Sequence, residues 1–304
     1  GVRTSLTFPA YLAASQGAPI DRNPFFIYPP GYPLLLGAAV KLVGASETTA
    51  LLLHGMLFVA LLVLTYVLAR RFLDPAASGL VVGLVGLQPN LLQLTAVQHS
   101  ADLPFAVVLL AVMALIVRAP AARPTYALAA AGALLATAQM FRFNGAALVP
   151  AFVALIAVLI AAQGGRPRAL RGVGTFLAAW GICFLVLLRL SQTGETTPTF
   201  LAGLLLIDTP GYPGLSIEGD PNMPTLAVVL QQHLGGVLRK AIAGLRFYLD
   251  QFASIGHPLV TGGVVLAGLL LIGLPSARPF VLFVGLATAI TVGIVSFIAF
   301  DARY

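Results

Sequence analysis

Residues 28–36 read Tyr28-Pro29-Pro30-Gly31-Tyr32-Pro33-Leu34-Leu35-Leu36. The three prolines lack amide donors, and each pushes the residue before it toward extended geometry. The cluster therefore reads as a rigid corner, outside regular helix, that leads into a helix over residues 34–43. A polar stretch, Asp21-Arg22-Asn23, precedes it, and a long series of apolar runs follows. Taken alone, such a cluster marks the start of a helix. At a membrane surface the same corner fixes a polar loop against the bilayer.

Composition decides which setting applies. Apolar residues are 59% of the 304, charged residues 9%, and the mean hydropathy is +0.97. A soluble domain carries roughly 25% charged residues. This chain cannot cover a water-facing surface, so it reads as an all-α, polytopic integral membrane protein. The single cysteine, Cys183, excludes intramolecular disulfides and multi-cysteine metal sites. The net charge of +7 does not indicate nucleic acid, because the basic residues are scattered and flank apolar runs. They suit orientation signals and contacts with membrane lipid headgroups.

A bilayer-spanning helix needs about 20 mostly apolar residues. Eight runs qualify: 47–69, 76–95, 103–118, 124–141, 145–163, 172–190, 257–274 and 279–299. The run 33–45 is shorter, carries Lys41, and reads as an interfacial helix. Arg70, Arg71, Arg118, Arg123, Arg166, Arg168, Arg171 and Arg278 then fall in alternate short loops, cytoplasmic by the positive-inside rule. Of ten acidic residues, only Asp74 joins them. The outer side holds residues 1–46, the turns 96–102 and 142–144, the segment 191–256, and residues 300–304. The segment 191–256 carries Thr-, Pro- and Gly-rich turns, then a helix over 225–252. Arg239, Lys240, Arg246 and Asp250 on its apolar body suggest a helix lying on the outer leaflet.

Four outer elements are candidates for one site. Asp102, in Gln98-His99-Ser100-Ala101-Asp102-Leu103-Pro104, is either a cap for a helix starting at Pro104 or a base or metal ligand at a water-filled cavity. His99 beside it is a supporting candidate, but one His and one Asp do not make a metal site. Arg142, in Met140-Phe141-Arg142-Phe143-Asn144-Gly145, is the only charge between residues 124 and 165. It is either a snorkelling side chain or a fork for a lipid phosphate, with Asn144 next to it. Arg3, Asp21, Arg22 and Asn23 in the entry loop are solvated residues or headgroup partners. Asp301 and Arg303 in Asp301-Ala302-Arg303-Tyr304 follow the last span. No Gly-Lys-Ser/Thr phosphate loop, His-Glu-x-x-His helix or Gly-x-Ser-x-Gly elbow is present. His54, His233 and His257 read as packed or interfacial histidines.

The order of these features resembles the GT-C glycosyltransferases, polytopic enzymes that use polyprenyl-phosphate sugars. The nearest branch resembles the bacterial relatives of protein mannosyltransferases and of the lipid A aminoarabinose transferase. The resemblance runs through Tyr28-Pro29-Pro30-Gly31-Tyr32-Pro33, an interfacial helix ending near Gly44, and a span ending in Ala69-Arg70-Arg71. It continues through Asp102 before Leu103-Pro104, Arg142 at the outer end of the fifth apolar run, and Asp301-Ala302-Arg303-Tyr304. It implies one transmembrane domain over residues 1–304, a fragment of a longer protein, in a bacterial inner membrane with its active side extracytoplasmic.

The implied activity moves a sugar from a polyprenyl-phosphate donor to a lipid, glycan or protein acceptor. Asp102 matches the second family acid and is the implied catalytic residue. Arg142, Tyr28, Arg22 and Arg303 are the implied binders of lipid phosphate, although the family branch with lysine before Pro-Pro has Tyr28 here. His99, Asp21 and Asn144 are supporting candidates. The first family acid is implied in the first outer loop, where its position runs to the start of this chain; it is either upstream or replaced by Arg3. A divalent cation is the one cofactor left open. Two other classes remain: a transporter or flippase of lipid-linked saccharides, and a catalytically degenerate subunit.

Overall fold

The computed structural model describes residues 31–98, 100–119, 124–191, 205, 226–254, 272–273 and 277–298. All regular structure among them is helical. The chain divides into two compact units, Gly1–Ala146 with Leu159–Ser191, and Ala147–Val158 with Gln192–Tyr304.

The first described helix of the first unit is α1, Gly31–Val43. This helix starts three residues earlier than the prolines suggest. Tyr32 and Pro33 fall in its first turn, where a missing amide donor costs nothing because those amides have no intrahelical partner. Helix α2, Glu47–Ala69, is capped by Ser46, whose Oγ accepts from the Thr49 amide at 3.2 Å. The Thr49 hydroxyl donates back to the Gly44 carbonyl at 2.7 Å, which closes the α1–α2 corner. Leu52, Met56, Val59 and Val63 are exposed at helical spacing along α2, while Ala50, His54 and Leu61 are buried on another face. An apolar helix with an exposed apolar face suits lipid rather than water.

Asp74 caps α3, Pro75–Gly86, by accepting from the Ala77 amide at 2.9 Å, with Pro75 at the first helical position. A carboxylate among arginines thus has a local structural role. The expected single helix over 76–95 is interrupted. Leu87 leaves helical geometry at φ −90° and ψ 1°, and Pro89 opens the five-residue α4, Pro89–Gln93. A wider π-type turn, Leu94–Gln98, follows. Helix α5 is Asp102–Arg118 and α6 is Pro124–Ala138, shorter than the 124–141 the apolar pattern gives. A 3-10 turn, Phe143–Leu148, leads to α7, Val149–Ser191.

The run α7 is two helical arms that meet at Gly165, whose φ of 73° and ψ of 176° break the helix between the expected runs 145–163 and 172–190; the break is shorter than the gap between those runs. Those angles strain any residue with a Cβ. Pro167 then sits two residues into the second arm, where it is tolerated. Glu47–Ala69 and the 43-residue run Gly145–Leu187 are the two helices among the described residues that are long and apolar enough to cross a membrane.

At one end of the first unit, α2 and α5 meet around a cavity of about 200 Å³ rimmed by Arg70, Arg71 and Arg118. At the other end lie the corner before α2 and the turn before α5. Seventeen residues of α5 separate the two ends, about 24 Å along the axis.

In the second unit, the expected helix over 225–252 is broken at His233 into α8, Leu226–Gln232, and α9, Leu234–Ser254. Helix α10, Arg278–Ile298, packs with its Ser296 backbone against Gly244. Phe152 and Phe283 meet with ring centroids 4.8 Å apart. Lys240 does not sit on a solvated face as its charge suggests. It is buried, and its ammonium donates to the Leu205 carbonyl at 2.7 Å. The apolar run 257–274 falls almost wholly outside the described residues.

Candidate functional site at the Asp102 end of the first unit

Asp102 is the first residue of α5, and Ala101 before it makes no side-chain cap bond. The cap reading of Asp102 is thereby corrected: the helix begins at the aspartate itself, so its carboxylate is not spent on the amides of a helix starting at Pro104. One oxygen, Oδ1, pairs with Nη2 of Arg142. The other, Oδ2, accepts from the Ser100 hydroxyl at 3.0 Å, and the Asp102 amide points back to Ser100 Oγ at 3.3 Å. Asp102 and Arg142 are each about one-third exposed, at 32% and 28%. The pair is held on the protein side and open on the other.

Arg142 is positioned by a tightening helix end. After α6, the Met140 and Phe141 amides bond to the carbonyls three residues back, and the Arg142 amide reaches Ala138 at 3.1 Å. This winding turns the Met140 carbonyl toward α1, where it accepts from the Gly31 amide at 2.5 Å. A Cβ on Gly31 would stand 2.4 Å from that oxygen, well inside contact distance. Only glycine allows the approach. The third residue of the Pro-Pro-Gly corner is thus docked two residues from Arg142.

Beneath the pair lies a small apolar cluster of Tyr32 and Leu36 from α1 with Ala50 from α2. Ala101 and Phe141 pack against it, and each is the chain neighbour of one member of the ion pair. Burying these neighbours fixes the backbone under both charges. His54 completes the floor. It is fully buried, its Nδ1 lies 3.0 Å from the Ala50 carbonyl, and its Nε2 lies 3.4 Å from the Ser100 carbonyl. Tyr32 packs edge-on against the His54 ring at 5.5 Å. Burial pushes the Tyr32 phenol up to about 12.

Of the residues singled out from sequence, the fold brings Asp102 and Arg142 together. Asn144 is in the adjoining 3-10 turn. Tyr28, Asp21, Arg22, His99 and Arg303 lie outside the described residues. Gly31, His54 and Ser100 were quoted in sequence without a site role. Ser100 carried the best signal, a hydroxyl two residues before a carboxylate at a helix start. Nothing in a lone mid-helix histidine pointed to the Ser100 carbonyl, 46 residues away. Among the described residues, no group of three His, Cys, Asp or Glu side chains converges as a metal cage.

A part-exposed carboxylate held by a guanidinium and a hydroxyl can accept a hydrogen bond from a substrate hydroxyl or take its proton. The guanidinium beside it can hold a phosphate oxygen. Among the described residues the structure is helical throughout, two helices are long and apolar enough to cross a membrane, and this pair stands at the start of α5. The family described as dolichyl-phosphate-mannose-protein mannosyltransferase matches residues 28–191, and the chain belongs to it. The match begins at Tyr28 of the Pro-Pro-Gly corner and includes both Asp102 and Arg142. It is a family of membrane glycosyltransferases that draw mannose from a polyprenyl-phosphate donor. No curated protein and no solved structure matches the chain.

Proposed function

We propose that the chain transfers a sugar from a polyprenyl-phosphate donor to an extracytoplasmic acceptor, with chemistry at the Asp102–Arg142 end of the first unit. The observation that carries this reading is the ion pair itself. Two residues 40 apart in sequence, both chosen for their chemistry, meet over a shared floor. The eight-span topology, with α1 and α9 lying at the outer interface, belongs to the same proposal. It is supported by the gathering of Arg70, Arg71 and Arg118 at the opposite end of α5. Basic residues mark the cytoplasmic side, so the pair faces outward. A bacterial inner membrane is the setting.

The reaction is an inverting displacement. The acceptor oxygen or nitrogen attacks the anomeric carbon as the bond from that carbon to the phosphate oxygen breaks. The phosphate leaves with the bonding electrons, and the acceptor proton passes to a carboxylate. Asp102 orients the acceptor or receives that proton. Arg142 exchanges part of its contact with Asp102 for the departing phosphate, whose charge it stabilises. Tyr28, Arg22 and Arg303 are further candidates for the phosphate, and Asp21, His99 and Asn144 for support.

The test is sugar transfer by the full-length protein in liposomes carrying a panel of polyprenyl-phosphate sugars. Transfer from at least one donor, lost in Asp102→Asn with the fold intact, supports the reading. Lipid binding without transfer from any donor would favour a carrier of lipid-linked saccharides or a degenerate subunit instead.

A further inference from the structure

The cavity at the far end of α2 and α5 has no part in the transfer chemistry. Its rim carries the guanidiniums of Arg70, Arg71 and Arg118, and its walls are Val67, Leu68, Ala114 and Val117. Ala114 and Val117 are buried, while the three arginines are exposed. Arg70 donates to the Leu73 carbonyl at 2.6 Å, which holds one fork in place. No carboxylate among the described residues pairs with any of the three. The nearest acid in sequence, Asp74, spends Oδ1 on the Ala77 amide. Three like charges around one small space repel one another unless an anion enters.

We propose that this cavity binds the phosphate of an anionic glycerophospholipid in the leaflet opposite the transfer site. The occupant must carry negative charge for the arginines and apolar chains for the helix walls. Guanidinium forks suit phosphate oxygens, and the cavity opens where two apolar helices end at the headgroup level. The opposite end of α5 shows the contrast, since there the Arg142 guanidinium already has a carboxylate. The binding of an anionic lipid does not depend on the transferase reading; only its leaflet rests on the proposed topology.

Native mass spectrometry of the full-length protein in micelles, titrated with phosphatidylglycerol or phosphatidylcholine, tests it. Wild type should retain phosphatidylglycerol over phosphatidylcholine. Arg70→Gln/Arg71→Gln/Arg118→Gln should weaken that retention about one hundredfold. Arg70→Lys/Arg71→Lys/Arg118→Lys keeps the charge that sets orientation and should fall between, which guards against a variant that inserts wrongly. Arg166→Gln/Arg168→Gln/Arg171→Gln, equal in charge change, should retain the lipid as wild type does. Unchanged retention in the first variant would overturn the site. Equal loss in the last variant would reduce the effect to bulk charge. Displacement of the lipid by inorganic phosphate at equal concentration would make the cavity a small-anion site and overturn the lipid assignment.

Discussion

The two ends of α5 carry the same kinds of side chain in opposite arrangements. At Asp102 a guanidinium meets a carboxylate, a serine hydroxyl and a tightly packed floor. At Arg118 three guanidiniums share one cavity without a carboxylate among the described residues. Matched charge at the first end gives a geometry that can direct a proton and a phosphate. Unmatched charge at the second gives attraction without direction, which suits orientation in the bilayer and a lipid headgroup. A protein can place both on one helix because the ends are about 24 Å apart. Screening by water and salt at the two exposed ends, over a separation well beyond a Debye length, then leaves each end to its own partners.

The sharpest way to break this comparison is at the matched end. Asp102→Asn should lower transfer by about 10²- to 10⁴-fold, the range for a lost acid–base group. An equivalent loss should not follow from Arg118→Gln, and steady-state transfer rates would show it. Next in size is Gly31→Ala. Its methyl group would press into the Met140 carbonyl and break the Gly31–Met140 bond. A destabilisation of about 1–3 kcal/mol is expected, read from thermal unfolding, with transfer falling alongside. A null result there would mean the corner is not what seats Arg142.

His54→Leu removes the ring that faces the Ser100 carbonyl while keeping an apolar filling. It should cost about 1–3 kcal/mol and reduce turnover more than donor binding, since Ser100 touches Asp102. Equal effects on both would leave His54 a packing residue only. The smallest effect is on pH dependence. The Tyr32 phenol titrates near 12 in the fold against about 10 when unfolded. Below pH 10 both states are protonated, and Tyr32 adds no slope. Between about 10 and 12 the unfolded chain releases the proton first, so stability falls as pH rises. Tyr32→Phe should flatten that part of the stability curve.

The class of the fold was legible in composition alone, and the apolar run 47–69 matches α2. The caps Ser46 and Asp74, which fix the starts of α2 and α3, emerge only from the structure. Interruptions were harder to see. Leu87 and His233 break helices where no strong breaker stands at the break itself, and Pro89 acts only from two residues away. At Gly165 the structure does divide two helical arms, as the separate runs 145–163 and 172–190 imply, but one residue makes the turn. Within the site, the two charged residues stood out against an apolar background. Of their partners only Ser100 left a signal, its hydroxyl two residues before Asp102; Gly31 and His54 act through backbone carbonyls and close approach, which leave no periodic trace.

The central claim is that Asp102 and Arg142 act as one unit in sugar transfer. A double-mutant cycle on kcat/KM, with Asp102→Asn and Arg142→Lys alone and together, tests it most directly. The account predicts that the double variant loses little more than the worse single variant, because removing either partner already disables the pair. Losses that multiply would show two groups working independently, and transfer undiminished in all three variants would contradict the site altogether.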